Sequence, residues 1–158
     1  MKKLFALTLC FILVSTNISF ANTNNITVST NISSANTNNI ANAIKDIEMV
    51  NNSIKIMIKK IVGDDALDTE EIRKDIAFAE SILGEQSSKI STLFLKESDF
   101  QLRRTYSTIL FAISLYQLSL SSMLVYVNDT NKVDYFIDTC TSYSAGENSL
   151  EILKSDNN

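Results

Sequence analysis

Four groups of side chains could do chemistry in this chain, and none contains a histidine, because the sequence has none. That absence removes the usual general base, the commonest metal ligand and the standard nucleophile triads. Carboxylates are the first group: Glu70, Glu71, Asp75 and Glu80 in one stretch, and Asp134 and Asp138 four residues apart. A carboxylate-bridged metal site in a helical bundle draws Glu and Glu-x-x-His from facing inner seams. Here the acids fall off the apolar seams, so they read as solvated faces and no metal is expected.

Arg103 and Arg104 form the second group and could hold an anion or a partner's carboxylate. The competing reading is surface pairing with Glu97 or Asp99, which stabilises little. The third group is Tyr106, Tyr116 and Tyr126 with Gln117. Phenol hydroxyls on a buried helix need partners, so a polar pocket competes with a structural role. The fourth is Cys140, the one cysteine left if the leader carrying Cys10 is removed. A thiol on an apolar seam, with no base nearby, reads as a small buried hydrophobe. Lys55, Lys59 and Lys60 read as a solvated helix face rather than an anion patch. Gly63, Gly84 and Gly146 stand too far apart for a phosphate loop. No catalytic residue and no cofactor is expected.

The element that must position these residues is Thr105 to Asn128, which lies between Arg104 and Asp129 and carries no charge. Leu102, Tyr106, Ile109, Ile113, Tyr116, Leu120, Met123 and Val127 follow steps of four and three, one continuous helical seam. Leu110, Leu124 and Ala112 lie beside it. Phe111, Leu115, Leu118 and Val125 widen the apolar arc, and Ser107, Ser114 and Ser121 form a narrow hydroxyl stripe. A helix this apolar is enclosed by neighbours or by lipid. Its length suffices for a bilayer. Its serines, and the arginines and aspartates at its ends, which invert the basic-inside bias, favour the bundle.

The neighbours repeat the pattern. Residues 39–62 carry Ile40, Ala43, Ile47, Val50, Ile54, Met57 and Ile61 at alternating three and four, with Gly63 as the stop. Asp64 and Asp65 begin a connection, and Asp68 with Glu71 makes a capping box. The next helix carries Ile72, Ile76, Ala79, Leu83, Ile90 and Leu93, interrupted at Gly84 and Gln86, a candidate kink or close contact. Ser98 with Gln101 reads as a second capping box, before the central helix. After Asn128 to Asn131, a fourth helix takes Val133, Phe136, Ile137, Cys140 and Tyr143 inward. Ala145-Gly146 is expected to split it ahead of Leu150, Ile152 and Leu153.

The expected fold class is therefore all-α, a four-helix up-down bundle over residues 38–154 with a frayed tail, 155–158. Ahead of it, residues 1–21 read as a signal peptide. Lys2 and Lys3 precede the apolar run Leu4 to Val14, and Ser19-Phe20-Ala21 gives small residues for cleavage after Ala21. The run is too short to span a bilayer, and Leu9 before Cys10 does not suit lipid attachment. A 14-residue unit beginning at Ser15 repeats from Ser29, and the copy offers a second cut after Ala35. Residues 22–37, rich in Asn, Ser and Thr, read as a disordered tether. Asn25, Asn31, Asn51 and Asn128 sit in glycosylation sequons, which an Asn-rich chain produces by chance.

Hydrophobic content of 45% with 20% charged residues is ordinary for a globular domain. Loss of Lys2 and Lys3 changes 14 basic and 18 acidic residues, formal charge -4, to 12 and 18, or -6. An acidic surface does not suit nucleic acid. The expectation is an exported, non-catalytic helical protein, periplasmic, secreted or at the cell surface, that binds another protein. Phe111, Leu115, Leu118 and Val125 would be either bundle interior or a docking groove, with Arg103 and Arg104 at its head. Homo-oligomerisation is left open. The alternatives are a small-ligand carrier or envelope enzyme using carboxylates and tyrosines, and a protein that inserts residues 99–128 into a membrane.

Overall fold

The computed structural model describes residues 34–63 and 68–156, all in or between four helices. The leader, its cleavage point at Ala21, the first part of the tether, and Asp64 and Asp65 lie outside the described residues. The helices are α1 (Ser34–Gly63), α2 (Thr69–Lys96), α3 (Phe100–Asn128) and α4 (Val133–Asp156). No strand occurs among the described residues.

Each helix forms where the apolar period demands. The α1 seam from Ile40 to Ile61 is buried throughout, as are Ile72, Ile76, Ala79, Leu83 and Ile90 on α2. All eight residues of the central seam, Leu102 to Val127, are buried. These side chains make one core, and enclosing each large one contributes about 1.5–3 kcal/mol before the entropy of ordering is counted.

Interhelical pairs set the topology. Lys60 meets Glu71 across α1 and α2, and Asp46 meets Gln86. Arg73 meets Asn128 across α2 and α3, while Arg103 lies over the Phe94 ring. Tyr126 packs on Phe136 and Ser119 bonds to Thr139 across α3 and α4. Glu48 pairs with Lys154, and Lys55 with Glu147, across α1 and α4. In every pair one number rises as the other falls, so adjacent helices run antiparallel. α3 packs mainly on α2 and α4, with α1 on its far side.

The helix ends depart from the sequence reading in four places. α1 begins at Ser34, before the expected Asn39 and inside the segment read as tether. Asn36 Nδ2 donates to Glu97 Oε2 at 3.4 Å, which ties that first turn to the end of α2. The alternative cut, Ala35, thus falls in the first turn of α1. The N-cap of α3 is Asp99 rather than Ser98: its carboxylate accepts from the Leu102 amide at 2.9 Å. Asp68 caps α2 as expected, accepting from the Glu70 and Glu71 amides. Glu71 does not complete the capping box; its carboxylate instead takes the Lys60 ammonium at 2.8 Å. Finally, α4 is not split and runs through Gly146 to Asp156, with Ile152 turned half outward.

Candidate functional site

The outer face of α3 is the surface that the bundle leaves open. Phe111 is 59% exposed and Leu118 54%. Leu115 and Val125 are half-buried at its margin. The physical reason is angular. At 100° per residue, Phe111 and Leu118 point away from the seam holding Ile109, Ile113 and Tyr116. With α2 on one flank and α4 on the other, none of the described residues covers that side. The reading of Phe111 and Leu118 as bundle interior is therefore corrected. Hydroxyls are not all outward either: Ser119 and Ser122 are buried, and Ser119 Oγ donates to the Thr139 carbonyl at 2.9 Å. That bond fastens α3 to α4.

At the amino end of this face lies a cleft of about 510 Å³, lined by Phe94, Ser98, Phe100, Arg103, Arg104, Ser107 and Thr108. Arg103 is held over the Phe94 ring, 4.8 Å from its centroid. The expected pairing of Arg103 and Arg104 with Glu97 or Asp99 is absent among the described ion pairs. Glu97 instead accepts from the Ser98 and Asp99 amides at 2.9 Å, and Asp99 serves as the cap. Both arginines are exposed. Two guanidinium groups beside aromatic rings suit a carboxylate carried on an apolar body.

The tyrosines do not converge on one pocket. Tyr116 and Tyr143 sit together in the core, ring centroids 6.4 Å apart. Tyr116 donates to Asn51 Oδ1 at 2.9 Å, and Tyr143 to Glu147 Oε1 at 3.1 Å. Lys55 lies 3.8 Å from the same carboxylate. Burial, with Tyr143 and Glu147 adding to it, pushes the Tyr116 phenol far above its usual value. Burial, then Glu147, does the same for Tyr143. Both are held as neutral donors by this network. Tyr126 stacks on Phe136 at 4.9 Å, and burial raises its phenol as well. The Tyr106 hydroxyl is buried without a hydrogen-bond partner, and burial followed by the Glu97 charge raises its pKa. Gln117 is half-buried.

The remaining groups stay apart. Glu70 pairs with Arg73 and Lys74, and Glu71 and Asp75 with Lys60. Glu71 is the main reason the Lys60 ammonium is held above its usual pKa. Asp134 and Asp138 are exposed, and Glu80 is half-buried. No group of three or more acids, histidines or cysteines among the described residues could hold a metal. Cys140 is fully buried. Asn51 and Asn128, two of the sequon asparagines, have their side chains engaged by Tyr116 and Arg73.

Sequence reasoning missed the roles of Asn51, Ser119 and Gly146. The first two are ordinary polar residues whose partners lie on other helices, at positions no local pattern marks. Fold and surface together define a four-helix bundle in which, among the described residues, the outer apolar face of α3 is uncovered. No family model, curated protein or solved structure matches the chain.

Proposed function

We propose that this is an exported, non-catalytic helical module that binds another protein through the outer face of α3. One observation carries the reading: Phe111 and Leu118 stand more than half exposed on a helix without a charge between Arg104 and Asp129. Leaving apolar side chains in water costs free energy, and covering them with a docked surface removes that cost. Leu115 and Val125 edge the contact, and Arg103 and Arg104 supply its charged end. The leader, the tether and the acidic surface fit a protein held outside the cytoplasm and accessible to partners. The test is a pull-down with the chain produced with its own leader, against the same chain carrying Leu118→Glu. Capture of a partner that survives the substitution removes the α3 face from the reading.

A second reading rests on a separate observation. α3 is 29 residues long, with a mean hydropathy of 1.7 in its most apolar window, only 44% of which is buried. Such a helix can enter a bilayer if the bundle opens. Carbonate extraction of membranes from expressing cells decides between them: release into the supernatant supports the docking module, and retention supports insertion.

A further inference from the structure

The outer face of α3 carries a heptad seam of its own, opposite the buried one. Phe100, Arg104, Ser107, Phe111, Ser114, Leu118, Ser121 and Val125 follow steps of four and three without interruption. All but Val125 are exposed, and Val125 is half-buried. Within the uncharged part, small and bulky residues alternate: Ser107, Phe111, Ser114, Leu118, Ser121, Val125. The Ser114 hydroxyl donates to its own helix, to the Leu110 carbonyl at 2.9 Å. It can therefore enter an apolar contact without losing a hydrogen bond.

That alternation selects one kind of occupant. In a parallel pair of identical helices, like positions meet, so Phe111 would face Phe111 and serine would face serine. In an antiparallel pair the two kinds of seam position meet each other. With the two-fold axis crossing the outer face midway between Ser114 and Leu118, Phe111 faces Ser121 of the second copy, Leu118 faces Ser114, and Val125 faces Ser107. Every bulky residue then sits over a small one, and the contact closes on itself, as a two-fold interface must. The same register carries Arg103 of one copy to Asp129 of the other. Among the described residues the Asp129 carboxylate accepts from the Asn131 backbone amide and side chain, and its carbonyl from the Lys132 amide. Two cations stand at that end of α3: Arg73, which lies 3.6 Å from Glu70 and bonds to Asn128, and Lys132, whose backbone amide bonds to Asp129; no described ion pair holds the Asp129 carboxylate.

From this size and charge complementarity we infer that the partner on the α3 face is a second copy of this chain, packed α3 to α3 in antiparallel register. The inference rests on the reading of that face as an interaction surface, and names its occupant.

The experiment is sedimentation equilibrium on the purified chain produced with its own leader, over a wide range of concentration. Alongside it, Leu118→Glu is measured, with circular dichroism to show that the exposed substitution leaves the bundle folded. The expected result is a monomer–dimer equilibrium weakened at least roughly tenfold by the substitution, since the two-fold repeats it and two central contacts are lost. Orientation is read by oxidation. A mixture of Ser114→Cys and Leu118→Cys chains should cross-link more readily than either alone. A chain that stays monomeric, a dimer indifferent to Leu118→Glu, or self-linking of Ser114→Cys as the favoured product overturns the proposal. A monomer that still captures a different protein through Leu118 ends the self-pairing and keeps the docking surface. A monomer that captures nothing ends both. Partition into neutral lipid vesicles replaces both with the inserted helix.

Discussion

A β-carbon placed on Gly146 would lie 2.9 Å from Cε1 of Tyr116 and 3.0 Å from Cζ. The Tyr116 ring is fully buried and its hydroxyl is tied to Asn51. Gly146 is thus a place where α4 passes close against a tyrosine ring, and α4 continues through it.

Gly146→Ala should destabilise the bundle by about 1–3 kcal/mol, since the ring must move and strain or lose its bond to Asn51. That exceeds the gain of about 1 kcal/mol that alanine brings to a helix interior. Gly84 offers the control. It is exposed, and a β-carbon there meets nothing within 4 Å. Gly84→Ala should stabilise by up to about 1 kcal/mol. Urea unfolding of the two variants should move the midpoint in opposite directions.

Gln86 Nε2 donates to Asp46 Oδ2 at 2.6 Å, while its Oε1 is buried without a hydrogen-bond partner. Asp46→Ala leaves the whole buried amide unsatisfied and should cost about 1–3 kcal/mol. Gln86→Leu removes the amide and keeps the volume. Asp46 is only half-buried and can turn to water, so this variant should cost less than Asp46→Ala. Thermal unfolding that ranked them the other way would show that the hydrogen bond matters little.

The caps make a sharp contrast. Asp99→Ala removes the acceptor for the Leu102 amide and should cost about 1 kcal/mol. Ser98→Ala, which removes the cap read from the sequence, should stay within about 0.5 kcal/mol of the parent chain. Equal losses would place the start of α3 elsewhere.

Alkaline pH should unfold the protein, and tyrosine ionisation should report it. Tyr106, Tyr116, Tyr126 and Tyr143 all have raised pKa values in the folded chain against an ordinary value of 10.0. A raised phenol pKa means the native state keeps a proton the unfolded chain has lost. Stability is therefore complete below pH 10 and falls as pH climbs beyond it towards the folded values. Tyr135 is exposed and does not report on the fold, but tyrosinate absorbance from the other four phenols should rise together with the loss of helical ellipticity above pH 10. Ionisation of all five phenols while the ellipticity stayed constant would contradict that burial.

The helices, their seams and the Asp68 cap were legible in the sequence because each is local. A side chain three or four residues on lies on the same face whatever surrounds it, and a cap is made with the next two or three amides. Gly146 misled for the opposite reason. Glycine marks a helix end when judged alone, yet here it marks a close approach by a residue thirty positions away. Ser98 and Asp99 were equally good caps by type, and the choice between them fell to the backbone path out of α2. Phe111 and Leu118 were ambiguous because apolar character does not say which side a neighbour takes.

The sequence by itself thus determined four helices and an inner seam on each, since backbone periodicity turns residue order into faces. Only the tertiary structure decided that α2 and α4 flank α3 and leave Phe111 and Leu118 uncovered. It alone joined Asn51 to Tyr116 and Asp46 to Gln86. Those outcomes depend on how whole helices divide a limited volume, a competition among distant surfaces that no local spacing encodes.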